Sequence, residues 1–191
     1  MNFASFPLES VPARAERRGP RPLGRPRALS MVLGALVATA LVTAAAAALA
    51  SHLLINVTRS MPLGIYWMRG GSPCSFARHD LVAFPVPPSV KGLVLERHYL
   101  MAGALLLKPI AAVAGDVVCI DGDALTIGGE PAGWLRSGDS EGRVLPRDAR
   151  CGVLPPGLVY VLAPDSRSFD SRVFGPVAVH TLSQVTPLWT F

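Results

Sequence analysis

Apolar positions follow two regimes along this chain. Residues 28–51 run without a single charge, and at ~1.5 Å per residue such a helix is long enough to cross a bilayer core of ~30 Å. From residue 65 onward the apolar runs are short and separated by turn residues, at 65–68, 81–84, 105–113, 117–120, 125–127, 159–162 and 177–179. That pattern predicts strands. Gly70-Gly71, Pro85-Val86-Pro87-Pro88, Gly128-Gly129 and Pro155-Pro156-Gly157 are turn or loop signals between them. Residues 136–150 are polar and without period, which predicts an exposed insertion in the β-domain.

Composition agrees with the pattern. Apolar residues make up 50% and charged ones 16%, with Gly 18 and Pro 18, a balance that suits short strands and turns and predicts an all-β class. At 191 residues the chain has room for one membrane anchor and one β-rich domain of ordinary size. The charge is lopsided. Residues 1–30 hold Arg14, Arg17, Arg18, Arg21, Arg25 and Arg27 against Glu9 and Glu16, a balance of +4 out of a net +5.

A basic tail could bind nucleic acid, but this one has no aromatic interleaving and is broken by Pro12, Pro20, Pro22 and Pro26. Lipid is the partner expected instead. Basic residues before an apolar span hold that end in the cytoplasm, so residues 1–27 are expected as a disordered basic arm, 28–52 as a transmembrane helix and 53–191 as an extracytoplasmic, periplasmic domain. Ala48-Leu49-Ala50 also fits a signal-peptide cleavage pattern, although the apolar run exceeds the ~7 to 15 residues of such a segment. The expectation is a single-pass inner-membrane anchor.

Two residues stand out as candidate chemistry. Ser60 lies in the turn-like stretch Thr58-Arg59-Ser60-Met61-Pro62-Leu63-Gly64, and Lys108 interrupts the aliphatic run Leu105-Leu106-Leu107-Lys108-Pro109-Ile110. Lysine is rarely buried without a reason, and a desolvated lysine that loses its proton near neutral pH can activate a serine. The competing reading of Lys108 is an edge-strand lysine pointing to water, which discourages edge pairing. His52, His79, His98 and His180 occur in no triad context, and Ser60 is not in a G-x-S-x-G elbow; His98 is the best spare base. Cys119 lies at the end of one predicted strand and Cys151 before the Gly/Pro turn that leads into another, and the two are expected to be joined in an oxidising compartment, with Cys74 free. The cysteine spacing matches no zinc pattern.

Three stretches together resemble the signal peptidase family of Ser/Lys peptidases, and within it the TraF branch of conjugative transfer signal peptidases. They are Thr58-x-Ser60-x-Pro62-x-Gly64-x-Tyr66, Lys108 followed by Ala114-Gly115-Asp116, and Ser168-Phe169-Asp170-Ser171-Arg172-Val173-Phe174-Gly175-Pro176, with a Pro187-Leu188-Trp189 ending. The resemblance implies a signal-peptidase-like β-domain, Ser60 as nucleophile and Lys108 as general base. It further implies Thr58 with the Ser60 backbone N–H as an oxyanion hole, Ser168 holding the lysine amine, and Asp170 with Arg172 as a bracing ion pair. The glycine-aspartate-asparagine stretch usual in general signal peptidases is here Pro164-Asp165-Ser166, which favours the TraF branch. No metal or organic cofactor is implied. The substrate implied is an exported precursor, specifically a conjugative pilin precursor; the alternatives are a housekeeping type I signal peptidase and a non-catalytic envelope or pilus assembly module.

Overall fold

The structure, a computed structural model, describes residues 25–69 and 75–191. Most of the basic arm, and Cys74, therefore lie outside the described residues. The chain divides into Met1–Ala46 and Ala47–Phe191.

Helix α1 spans Arg25–Ala50, most of it in the first unit, and its stretch Ala28–Ala50 is apolar on every side. A helix hydrophobic all round is suited to lipid or to a protein interior, not to water. Its 23 residues rise about 34 Å. By length and composition it fits a membrane anchor or a signal sequence.

The second unit is mostly β. Its elements are β1 (Leu53–Asn56), β2 (Gly64–Met68), β3 (Leu81–Pro85), α2 (Pro88–Glu96), β4 (Leu105–Ala112), β5 (Val117–Asp121), β6 (Ala124–Ile127) and β7 (Glu130–Trp134). Then follow β8 (Cys151–Val153), β9 (Leu158–Val161), α3 (Ser171–Phe174), β10 (Val177–Ala178) and β11 (Ser183–Thr190). Seven strands form one antiparallel sheet in the order β1-β2-β11-β3-β4-β9-β10, and four form a second in the order β7-β6-β5-β8. Val82, Phe84, Leu106, Ile110, Val159 and Val161 build the core beside the larger sheet. A second cluster around Val118, Leu125, Leu154 and Tyr160 lies beneath the smaller one.

Two features of this unit position everything that follows. The first is the hairpin of β1 and β2, paired from Leu53↔Trp67 to Asn56↔Gly64, whose connection at residues 57–63 holds Ser60. Gly64 closes it, because a Cβ there would collide with the backbone carbonyl of Trp189 on β11, and its φ of +153° disfavours any other residue. The second is β4, which pairs with β3 on one side and β9 on the other. Lys108 is thus in an interior strand, and the edge-strand reading of this residue does not hold.

The β-domain expectation holds, and two local readings within it change. The Pro-rich stretch at 85–88 opens α2 instead of only turning the chain: Pro88 sits in the first turn, where its missing N–H costs nothing, and Val90 and Val94, four apart, bury one face. Residues 136–150 are also not a plainly exposed insertion. Leu145 is buried, and Asp139 accepts hydrogen bonds from Tyr99 Oη and Arg143 Nε, with Arg97 3.5 Å away. A carboxylate neutralised from several directions can leave water, which ties this segment down onto the end of α2.

Candidate active site

The β1–β2 connection is shaped by side chains bonding its backbone. Asn56, only 8% exposed, donates from Nδ2 to the carbonyls of Thr58, Met61 and Pro62 at 3.0, 3.0 and 2.9 Å. Its Oδ1 accepts from the Thr58 backbone N–H at 3.2 Å and from Thr58 Oγ1 at 2.8 Å. Tyr66, in the core, donates its hydroxyl to the Pro62 carbonyl at 2.6 Å. These bonds satisfy backbone groups that the tight turn takes out of the strand ladder.

Ser60 faces Lys108 across this turn. Lys108 is 3% exposed, and its Nζ donates to Ser60 Oγ at 2.9 Å. Desolvation lowers the amine from its ordinary value of 10.5 to about 8; Arg172 pushes the same way, while Asp170 and Asp165 oppose it. A lysine so placed is neutral in a substantial fraction of molecules at mildly alkaline pH. Thr58 Oγ1 lies 3.4 Å from Ser60 Oγ, with its hydroxyl directed to Asn56.

Asp170 and Arg172 form a buried ion pair. The carboxylate of Asp170, fully buried, accepts from Arg172 Nη2 at 2.6 Å and Nε at 2.9 Å, and also from the Ala163 and Arg172 backbone N–H groups. Arg172 Nη2 reaches on to the carbonyls of Ala163 and Asp165. Asp170 also caps α3, whose Ser171 accepts from the Val161 N–H of β9. The pair therefore welds the loop at 163–170 to the strand beside Lys108.

Ser168 departs from the role the resemblance implies. Its Oγ is buried without a hydrogen-bond partner among the described residues, so it makes no hydrogen bond to the lysine amine. It does line the same cleft as Ser60 and Lys108, an opening of about 420 Å³ bordered by Thr58, Leu106, Leu145, Phe169 and Val173. Arg59, Arg136, Asp139 and Asp165 also line it. None of the four histidines does, and His98 lies in the turn after α2 with φ +53°. Away from the cleft, Cys119 and Cys151 are joined as a cross-strand pair of β5 and β8.

Three residues escaped sequence reasoning. Asn56 follows Leu53-Leu54-Ile55, and the only available signal was its spacing of two from Thr58, the separation at which Asx side chains bond their own backbone. Tyr99 and Asp139 are 40 positions apart, and nothing local couples them.

The sequence profile of the signal peptidase family, peptidase S26, matches residues 27–188. The chain belongs to that family. The conjugal transfer protein TraF of Agrobacterium tumefaciens (strain 15955) is 36% identical over 180 residues, covering 86% of this chain and 97% of that protein. The plasmid transfer protein TraF of Escherichia coli is 30% identical over 143 residues, covering 70% of this chain and 79% of the relative. The crystal structure of a signal peptidase I from Enterococcus faecalis V583 aligns with a TM-score of 0.37 and 25% identity, over 59% of this chain and 97% of that one.

Proposed function

We propose that this chain is a membrane-anchored serine endopeptidase that cleaves exported precursor proteins, with Ser60 as nucleophile and Lys108 as general base. The observation that carries the reading is a buried lysine amine 2.9 Å from a serine hydroxyl. Neutral Lys108 takes the Ser60 proton as Oγ attacks the scissile carbonyl. In this reading the Ser60 backbone N–H and the Thr58 hydroxyl serve as the oxyanion donors. Lys108, now charged, gives its proton to the leaving amine, and water releases the acyl-enzyme. In this reading α1 holds the enzyme in the inner membrane, with residues 53–191 on the periplasmic side.

The relatives are named for conjugal and plasmid transfer, which supports a dedicated role in transfer over the broad substrate range of a housekeeping signal peptidase; the substrate proposed for that role is a pilin precursor. Acylation of the folded protein by a serine-directed probe, followed by peptide mapping, tests the nucleophile. Modification confined to Ser60 is expected; a protein that cleaves precursor while Ser60 stays unmodified contradicts the proposal. Cleavage of a pilin precursor and of unrelated exported precursors, compared side by side, tests the substrate: equal rates would favour the housekeeping alternative.

A further inference from the structure

The direction of every hydrogen bond around Asn56 is fixed by chemistry. Its Nδ2 faces three backbone carbonyls, which only accept, so the amide has one permitted orientation and Oδ1 must face Thr58. Oδ1 only accepts. The single proton of the Thr58 hydroxyl therefore goes to Asn56 over 2.8 Å, and what Thr58 Oγ1 presents to Ser60 Oγ, 3.4 Å away, is a lone pair. On the other side of Ser60, the Lys108 amine donates to Oγ. The chain of donors then runs one way, from Lys108 to Ser60 to Thr58 to Asn56, and ends on an atom that cannot pass a proton further.

We propose that Asn56 is a positioning residue for the nucleophile, acting through Thr58: it holds the 57–63 turn closed and sets the Thr58 hydroxyl as an acceptor toward Ser60. This inference rests on the reading of Ser60 as nucleophile. While Lys108 is charged, the Ser60 proton points at Thr58. Once Lys108 is neutral, its lone pair draws that proton round to Nζ, the geometry from which attack starts. Thr58 can donate to an oxyanion only by leaving Asn56, so the Asn56 bond is made before reaction and exchanged during it.

Asn56→Asp keeps the shape but turns an acceptor toward three carbonyls. Precursor cleavage by Asn56→Asp, Thr58→Val and the double variant is compared with wild type, with folding checked by thermal melts and Ser60→Ala as reference. Folded Asn56→Asp is expected to lose ~100-fold in kcat, the scale of a misplaced reacting group, with KM within about threefold of wild type. The double variant is expected to be no slower than the slower single one, because both changes break the same linkage. A folded Asn56→Asp with wild-type kcat, showing only a lower melting temperature, overturns the proposal. So do single losses that multiply in the double variant. Should Asn56→Asp not fold, Asn56→Ser, which removes the amide without adding charge, is read by the same criteria. An active Ser60→Ala overturns the nucleophile reading itself; an inactive Ser60→Ala beside a fully active Asn56→Asp overturns only the role of Asn56.

Discussion

Lys108 and Ser60 are 48 positions apart in the chain and 2.9 Å apart in space, Nζ to Oγ. Neither is free to drift: Ser60 sits in a turn whose carbonyls are tied to Asn56, and Lys108 sits in a strand paired on both sides. Burial lowers the lysine to about 8, and that change in proton affinity is also a change in stability.

The sign follows from linkage. The Lys108 amine binds its proton more weakly in the folded protein, at about 8, than at its ordinary 10.5, so between these values the unfolded chain holds more protons and stability rises with pH. Below pH 8 the cost is fully present, about 3 kcal/mol for a shift of this size. Lys108→Met is therefore expected to be inactive yet more stable than wild type at pH 7, with the gap closing toward pH 10.5. Urea melts at pH 7 and pH 10 read this directly.

The Asp170–Arg172 pair has the opposite sign. Removing one partner strands the other charge in the interior, which typically costs ~3 to 5 kcal/mol. Arg172→Met is expected to lower the unfolding free energy by an amount in that range, measured by chemical denaturation. A loss under ~1 kcal/mol, as for an exposed pair, would contradict the burial described here.

The bridge between Cys119 and Cys151 closes a separation of 32 residues, for which chain entropy gives about 3 to 4 kcal/mol. Peptide mapping of oxidised protein is expected to recover these two residues linked, and Cys119→Ser to melt earlier than wild type. Alkylation of both thiols in the native protein is the contrary result.

Much of the fold was legible because it rests on local pattern. Strands β2 to β6, β9 and β10 fall within one residue of the apolar runs at either end, since turn residues bound each of them. The short strands β1 and β8 escaped, and so did structure that breaks its own local rule. β7 contains Pro131 and Gly133, and β11 contains Pro187, and both pair irregularly, with bulges that accommodate residues a regular ladder would reject. Val90 and Val94 make a helix of a segment whose prolines read as a turn.

The site divides along the same line. Ser60 and Lys108 were visible as chemically odd residues in their local settings, a turn and an aliphatic strand. Asn56 was not, because an asparagine at a strand end is ordinary until its five hydrogen bonds are seen. The Ser168 Oγ, buried without a partner among the described residues, was equally invisible, as only tertiary placement decides whether a buried hydroxyl finds a partner.

The central claim is that Lys108 works by losing its proton, and the pH dependence of precursor cleavage by wild type and Lys108→Arg tests it most directly. Arginine keeps the positive charge but does not release it at any working pH. Wild-type kcat/KM should rise with pH through a midpoint near 8, and folded Lys108→Arg should fall to the background of Ser60→Ala at every pH. Near-wild-type cleavage by folded Lys108→Arg would contradict the account.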